Sequence, residues 1–411
     1  MVDHEPLPGS PTDERIRAAV AALGSGPLEE RGVRRHVAPL FARVRDRGPR
    51  VYLANHSLGR PLDALEDDVR EALAAWYADL GGAWDAWQDE MRAHRARLAK
   101  LVGARRDDSI VPKTSAGAGL RAVLGAADTP LRVVTTRGEF DSIDLILREY
   151  ARRGRITLDI VEARGERFEA DDVRAAVARG AGLLVLSQVM FRTGQLVDDV
   201  RGIVAHAREH GCEVLLDVYH SVGIVPVDLA SLDVEYAIGG SYKYLRGGPG
   251  ACYLYVAPRI LGAGRRTLDV GWFAKETPFR YERPDPPRFA AGGDGWLEST
   301  PPVLTWYQAR SGQLFTLAVG VERLRDLSLR QQQRLVELLA ERGVPATGGT
   351  PDRGAFVVVR NAAATDLASR LRERSVETDA RGDALRLCPD ILTTDDELVL
   401  AADAVAAVLR A

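Results

Sequence analysis

Short apolar runs alternate with longer amphipathic stretches through the middle of the chain. Apolar positions three and four apart predict helices over 116–125, 142–153, 170–179 and 199–210. The apolar runs predict strands over 132–136, 157–161, 182–186, 213–218, 236–239 and 251–256. Buried strands connected by helices of about 10 to 15 residues favour a mostly parallel sheet. The pattern therefore predicts an α/β core with helices on both faces of the sheet.

The flanking segments are mainly helical. Before the core, the pattern predicts helices over 13–23, 32–47 and 62–102, with a short strand over 51–54. After it, the pattern predicts helices over 303–326, 329–342, 365–375 and 395–409, with strands over 355–360 and 384–387. Single cores stop growing near roughly 250 to 300 residues, so more than one domain is expected. The predicted organisation is an N-terminal helical segment over 1–50, a large α/β domain over 51–300 and a smaller α+β domain over 301–411.

Composition and charge narrow the function. The 55 basic and 58 acidic residues are spread along the chain, which disfavours a nucleic-acid or membrane partner. The apolar runs are far shorter than the ~20 residues that span a bilayer. The acidic, Pro-rich start lacks the pattern of a signal peptide, so a cytoplasmic location is expected. Cys212, Cys252 and Cys388 lie far apart, which predicts buried free thiols and no metal site.

Polar residues that follow apolar strands are the candidates for chemistry, because ligands of open α/β sheets bind at the carboxyl ends of the strands. In EVLLDVYHSVG, Asp217 ends a buried strand and His220 follows it. A buried carboxylate is costly unless a cation or a hydrogen-bond donor pairs with it. A protonated pyridine nitrogen is one such partner, while an arginine or a capping role is the alternative.

Two further segments carry candidate residues. In AIGGSYKYLRGGPGACYLYV, Lys243 lies in a turn between two apolar strands, where loss of hydration would lower its pKa and ready the amine for imine formation. The alternative is a lysine at the protein surface. The presence of Asp217 on the preceding strand favours the cofactor role over this alternative. Thr114 and Ser115 in IVPKTSAGAGL precede a predicted helix, and they suit either a phosphate site or simple capping. The nucleotide-binding Gly-Lys-Ser/Thr loop is absent.

Taken together, these segments resemble the kynureninases of the class V aminotransferase superfamily. The resemblance runs from about Tyr52 to Asp390 and rests on GGSYKYLRGGPGA, DVYHSVG, QVMFRTGQLVDD, LANHSLGRP, LDVGWF and STPPVL. It implies a fold-type-I pyridoxal 5′-phosphate enzyme with a mostly parallel seven-stranded sheet and a smaller α+β C-terminal domain. The implied reaction hydrolyses the Cβ–Cγ bond of L-kynurenine or 3-hydroxykynurenine to an anthranilate and L-alanine.

The resemblance also implies roles for single residues. Lys243 would carry the cofactor as a Schiff base and move the Cα proton, Tyr242 would contact the phosphate and assist proton transfer, and Asp217 would pair with the pyridine nitrogen. The other implied cofactor contacts are Thr114, Ser115, the stacking ring of Phe140, His220, and Trp272 and Thr300 from the neighbouring subunit of a homodimer. The implied substrate-binding residues are Arg386, for the α-carboxylate, with Asn55, His56 and Ser57. Packing roles are the alternatives for Phe140, Trp272 and Thr300, and a surface position is the alternative for His56.

Departures from the family pattern leave the substrate open. Ile143 stands where the family has an acidic residue, His56 interrupts the pattern in NHSLG, and GGAWDAWQDE over 81–90 lacks the family's Gly-His-Glu. Thr300 replaces an asparagine of some members. One alternative is another class V lyase, transaminase or decarboxylase of secondary metabolism. A second alternative is a catalytically silent regulator, which the presence of both Lys243 and Asp217 disfavours. Cysteine desulfurase activity is not expected, because no cysteine lies near the start of the small domain.

Overall fold

A computed structural model describes residues 11–128 and 130–410. Its strands are β1 (Val51–Tyr52), β2 (Ile110–Lys113), β3 (Leu131–Thr136), β4 (Ile156–Val161), β5 (Leu183–Ser187), β6 (Glu213–Asp217), β7 (Tyr236–Gly240), β8 (Cys252–Val256), β9 (Val357–Arg360), β10 (Val376–Glu377), β11 (Asp379–Arg381) and β12 (Ala384–Leu387).

The helices alternate with these strands. They are α1 (Pro11–Ala21), α2 (Glu30–Gly32), α3 (Ala42–Arg47), α4 (Ala64–Ala78), α5 (Ala83–Leu101), α6 (Ala116–Leu124), α7 (Asp141–Arg152), α8 (Ala170–Val177), α9 (Val200–Glu209), α10 (Leu229–Leu232), α11 (Pro258–Gly262), α12 (Leu304–Val319), α13 (Val321–Glu341), α14 (Ala364–Glu373) and α15 (Asp395–Arg410). A π-helical turn spans Val33–Val37, and 3₁₀ turns span Ala38–Phe41, Asp107–Ser109, Trp272–Ala274, Pro278–Arg280 and Gly292–Trp296.

A seven-stranded sheet in the order β2-β8-β7-β6-β5-β3-β4 forms the centre of the described chain. Strand β8 runs antiparallel to both of its neighbours, and the other pairs are parallel. Every residue of β5, β7 and β8 is buried, as expected of strands covered on both faces. Helices α6, α7, α8 and α9 pack against the sheet. The predicted mostly parallel α/β architecture is confirmed.

The C-terminal part adds a second layer with its own apolar core. Strands β11, β12 and β9 form an antiparallel sheet, and helices α13, α14 and α15 contact it or one another. Strand β1 pairs in parallel with β10, and Val51 and Leu53 lie in the same apolar cluster as Leu385 and Val405. The start of the segment predicted as the large domain therefore contributes to the C-terminal layer; the domain boundaries themselves stay a prediction.

Two predicted helices are divided differently in the structure. The helix expected over 62–102 is broken into α4 and α5, because the carboxylate of Asp79 accepts the N–H of Gly82 at 3.0 Å and two adjacent glycines weaken the helix. The break expected between 326 and 329 falls instead at Gly320, which has a φ of 90°. Only a residue without a side chain adopts that conformation readily.

Three further observations bear on function. Cys212, Cys252 and Cys388 are buried free thiols, as predicted. Within 11–128 and 130–410, no helix is both long and apolar enough to cross a membrane. The same residues contain no group of three or more His, Cys, Asp and Glu side chains arranged to hold a metal ion.

A glycine on α12 sets the distance between this helix and the segment that contains Lys243. A Cβ at Gly312 would lie 1.9 Å from the carbonyl oxygen of Leu245, so the backbone would have to move. We expect Gly312→Ala to reduce the free energy of unfolding by roughly 1 to 3 kcal/mol, as overpacking does elsewhere. Thermal denaturation would measure the loss.

The matched control is Gly262→Ala at the end of α11, where an added methyl group meets nothing within 4 Å. Its thermal midpoint should equal that of the parent or lie slightly above it, because alanine favours helices over glycine. Identical midpoints for the two variants would contradict the interpretation of the close contact.

Candidate active site

A cavity of about 520 Å³ opens at the carboxyl edge of the central sheet. Asp217 ends β6, and Lys243 lies in the turn between β7 and β8, so adjacent strands deliver both side chains to this edge. The lining includes seven of the predicted site residues: Thr114, Ser115, Phe140, Asp217, His220, Tyr242 and Lys243. The structure therefore brings the predicted cofactor contacts of a single subunit together.

The amine of Lys243 is buried, and the side chains around it do not neutralise its charge. Its Nζ donates to the carbonyl oxygen of His56 at 3.0 Å and lies 3.1 Å from Nε2 of His220. Among the described residues no carboxylate forms an ion pair with it. Burial, followed by the charge of Arg386, lowers its pKa to about 8. An amine of this kind is partly unprotonated near neutral pH and can act as a nucleophile.

Asp217 is a buried acid with one backbone donor. Its Oδ1 accepts the N–H of Tyr219 at 2.9 Å, and no Lys or Arg of the described chain forms an ion pair with it. Burial raises its pKa to about 6. The arginine alternative is therefore not realised, and the carboxylate is suited to a cationic partner from outside the chain.

The start of α6 faces the same cavity. Ser115 is the N-cap residue, and its Oγ accepts the N–H of Ala118 at 3.1 Å, while the side chains of Thr114 and Ser115 remain exposed. Capping and phosphate binding are compatible here, because other N–H groups of the first turn have no partner within the helix.

Two aromatic residues flank the amine. Phe140 is half-buried, its ring centroid lies 5.9 Å from Nζ of Lys243, and its edge contacts Phe191. The ring is thus accessible from the cavity, which suits the predicted stacking role. Tyr242 lies 5.2 Å from the same Nζ, measured to its ring centroid, and burial together with Asp217 raises the pKa of its phenol. Tyr242 is therefore a hydrogen-bond donor at neutral pH.

The predicted substrate-binding residues lie deeper than the cavity wall. Arg386 is buried, and its Nε and Nη2 both donate to Oδ1 of Asp379, the former at 2.7 Å. Its Nη1 donates to the carbonyl oxygen of Phe191. Burial opposes ionisation of Asp379, but the hydrogen bond of His56 and the positive charge of Arg386 hold its pKa well below the usual value. Three of the five guanidinium N–H groups are therefore bound inside the protein, and Arg386 does not line the cavity.

His56 and its neighbours join this network. His56 is fully buried, its Nε2 lies 3.4 Å from Oδ1 of Asp379, and its ring lies 4.8 Å from that of Phe356. Burial and Arg386 lower its pKa to about 3, so the imidazole is neutral. Ser57 donates to Asp379, and the amide of Asn55 donates to the carbonyl oxygen of Cys388 at 2.9 Å. These residues hold the segment after β1 against the C-terminal sheet.

Trp272 and Thr300 lie outside the cavity lining of this subunit. Nε1 of Trp272 donates to Oγ1 of Thr300 at 3.1 Å, and the indole packs against Trp84 and Phe279. The predicted contact with a neighbouring subunit is not tested by one chain and stays a prediction. Ile143, a departure from the family pattern, is fully buried in the core.

Sequence reasoning missed three residues at the site. Glu139 and Ser187 are buried beside Asp217, and Asp379 pairs with Arg386. Ser187 directly follows the apolar run over 183–186, and two residues separate Glu139 from the predicted strand over 132–136. The strand-end rule that identified Asp217 would therefore have identified both residues. No local signal marks Asp379, because its partner comes from another strand.

Comparison with known proteins decides the family. A family model described as "Aminotransferase class-V" matches residues 66–389. The chain belongs to the class V aminotransferase family. It is 31% identical to a kynureninase of Salinispora tropica, over 87% of this chain and 90% of the relative. It is 30% identical to a kynureninase of Deinococcus radiodurans, over 84% of each.

Solved structures agree on the fold. The chain superposes with a TM-score of 0.78 on a complex of the cystine C-S lyase C-DES with its product cysteine persulfide, at 20% identity over 89% of this chain and 99% of that one. The TM-score is 0.75 for the apo structure of a cysteine desulfurase from Thermococcus onnurineus NA1, at 17% identity over 88% of this chain and 94% of that one. This class V chain therefore has the predicted fold-type-I architecture.

This class V chain is a pyridoxal 5′-phosphate-dependent enzyme, and its residues fit that cofactor. The buried amine of Lys243 is available to the aldehyde, Asp217 lacks a cation, and the start of α6 can bind an anion. The cavity between them is large enough for a small cofactor and its substrate.

The pKa of Lys243 leads to a pH-dependent prediction. With a pKa of about 8, about a tenth of the amine is unprotonated at pH 7, against about one part in three thousand for an ordinary lysine. Covalent capture of pyridoxal phosphate by the cofactor-free protein should therefore accelerate up to about pH 8 and then level off. Absorbance stopped-flow measurements would follow the reaction.

Lys243→Ala should abolish capture, and exchange of the surface residue Lys100 for methionine should leave the profile unchanged. The folded pKa lies below the unfolded value of 10.5, so the unfolded chain binds more protons between about pH 8 and 10.5. The stability contribution of Lys243 in the cofactor-free protein thus increases with pH across that window. A capture rate that still rises steeply above pH 9 would contradict the lowered pKa.

Proposed function

We propose that this enzyme hydrolyses the Cβ–Cγ bond of L-kynurenine or 3-hydroxykynurenine, releasing an anthranilate and L-alanine. The observation that carries the proposal is the similarity to proteins named kynureninase, at about 30% identity over most of both chains. The site geometry supports it, because Lys243 and Tyr242 can serve the proton transfers that such a cleavage needs.

When bound, pyridoxal phosphate supplies an electron sink for charge that develops at Cα. Lys243 would accept the Cα proton on Nζ, because its lowered pKa keeps the amine available as a base. Asp217 would pair with the pyridine nitrogen of the cofactor and favour its protonated form. Tyr242, which keeps its phenolic proton, would donate a hydrogen bond at the site, and Phe140 would contact the cofactor ring.

Desulfuration of cysteine is not supported, although solved structures with that activity share the fold. Cys252 lines the cavity, but it is buried, and burial raises the pKa of its thiol. Burial likewise raises the pKa of Cys212 and Cys388. A nucleophilic cysteine needs an accessible thiolate, which none of these residues provides.

The proposal includes a homodimer with shared active sites. Tyr77, Leu80, Leu268 and Tyr281 are exposed, and a subunit interface that covered them would remove their apolar surface from water. Trp272 and Thr300 would then lie near the site of the neighbouring subunit. A cytoplasmic location stays a prediction.

The test of the reaction uses purified enzyme loaded with cofactor. Addition of L-kynurenine or 3-hydroxykynurenine should produce alanine and the corresponding anthranilate in equal amounts, as measured by mass spectrometry. Lys243→Ala should abolish both products. If neither compound perturbs the absorption of the bound cofactor nor releases alanine, the substrate proposal is wrong while the family assignment stands.

The internal ion pair of Arg386 gives a second prediction. We propose that Arg386 binds the substrate α-carboxylate and that Asp379 orients its guanidinium. Asp379→Asn should raise KM by about tenfold or more with a smaller change in kcat, because a charge-assisted hydrogen bond is worth roughly 1.5 to 3 kcal/mol.

The control variant is Asp383→Asn, beside the same strands. Asp383 pairs with Arg192 and Arg360 in partly exposed bridges, so its removal should leave both kinetic constants unchanged. A lower KM in Asp379→Asn would instead mean that Asp379 competes with the substrate for Arg386.

A further inference from the structure

A second buried acid, Glu139, lies behind Ser187, and Ser187 lines the cavity next to Asp217. Glu139 is only 4% exposed. Its Oε1 accepts the hydroxyl of Thr136 at 2.7 Å and the N–H of Ser187 at 3.2 Å, and its Oε2 accepts the hydroxyl of Ser187 at 2.5 Å. Ser187 and Asp217 are in-register neighbours at the ends of β5 and β6. A single serine thus separates the two carboxyl groups.

The two acids are held by neutral hydrogen-bond donors. All the donors to Glu139 and Asp217 are neutral, and no Lys or Arg within 11–128 and 130–410 forms an ion pair with either acid. Burial, the largest effect, and the negative charge of Asp217 raise the pKa of Glu139. The hydrogen bonds of Ser187 and Thr136 oppose this increase, and the pKa is raised to about 7. Two buried carboxylates side by side repel each other unless a cation lies close to them.

Several titratable groups face this pair from neighbouring elements. Lys243 faces Asp217 from the turn after β7, and it is the group whose positive charge stabilises that carboxylate. The phenols that face it are Tyr219 after β6, Tyr242 before Lys243, and Tyr253 on β8. Burial raises the pKa of each phenol, so all three are neutral at working pH. Once Lys243 is bonded to the cofactor, the protonated pyridine ring is the remaining candidate for the compensating charge.

We propose that Glu139 is a positioning residue that supplies a second negative charge behind Asp217 and so keeps the pyridine nitrogen of the cofactor protonated at higher pH. Ser187 holds Glu139 in place by donating both its hydroxyl and its backbone N–H. The inference depends on the cofactor and on no particular substrate. Its failure would therefore leave the proposed kynurenine reaction untouched, and the reverse also holds.

The test measures the pyridine nitrogen directly. Holoenzyme carrying pyridoxal phosphate labelled with ¹⁵N in the ring would be titrated between about pH 5 and pH 10, and the ¹⁵N chemical shift reports protonation at each pH. Glu139→Gln loses the charge and keeps one acceptor oxygen, while its amide NH2 can donate to the Ser187 hydroxyl instead of accepting from it. In this variant we expect the nitrogen to deprotonate at least about one pH unit lower than in the parent, which is a tenfold change in its protonation equilibrium. A merely structural Glu139 would leave this curve unchanged.

Three variants serve as controls. Glu162→Gln removes an exposed carboxylate that pairs with Arg137 at the end of β4, and its curve should match the parent. Glu139→Asp retains the charge and should restore part of the difference. Asp217→Asn should deprotonate the nitrogen at the lowest pH of the series, because it removes the direct partner.

Thermal denaturation would establish that each variant is folded. If Glu139→Gln does not fold, Thr136→Val takes its place: it removes one donor to the carboxylate, favours the neutral acid and should shift the curve in the same direction by a smaller amount. If the folded variant, Glu139→Gln or Thr136→Val, has the same titration curve as the parent, the proposal is wrong.

Discussion

The structure depends on burying ionisable groups at one edge of a sheet without direct ion pairs. Lys243 and Asp217 each lie at about 5% exposure, yet neither forms an ion pair within the described chain. Isolated charges in such surroundings are unfavourable, so the amine is pushed toward its neutral form and the carboxylate toward its acid form. The protein can tolerate this because strands β5, β7 and β8 are buried along their whole length and supply a large apolar core. The unfavourable burial is also what prepares both groups for a cofactor.

Close backbone contacts surround the segment that contains Lys243. The carbonyl oxygen of His56 approaches Nζ of Lys243 because Gly59, three residues later, lets the two segments touch: a Cβ there would lie 2.0 Å from the carbonyl oxygen of Lys243. Gly312 permits the same approach from α12. Glycines at two contacts thus let distant parts of the chain pack closely against the segment that contains Lys243 and Leu245.

The C-terminal layer contributes charge rather than a wall of the cavity. The β11–β12 hairpin places Asp379 opposite Arg386 in register, and β1, through its pairing with β10, brings His56 to the same carboxylate. A buried ion pair of this kind is a weak source of stability, because desolvation offsets most of the attraction. Its value is geometric: it holds a planar donor in one orientation beside the amine, where its charge also lowers the pKa of Lys243.

The amino-acid sequence by itself determined six of the seven strands of the central sheet, the strand-end position of Asp217 and the turn that presents Lys243, because these depend on local periodicity and on the cost of burying charge. Local pattern did not reveal the break between α4 and α5, which depends on a side chain of Asp79 bonded to the backbone. Nor did it reveal the roles of Glu139 and Asp379. Each of these acids has partners on other strands, Ser187 for one and Arg386 for the other. Those pairings follow from strand order and register, which arise only when the chain is folded, so tertiary structure alone decided which charges at this site are compensated and which await a ligand.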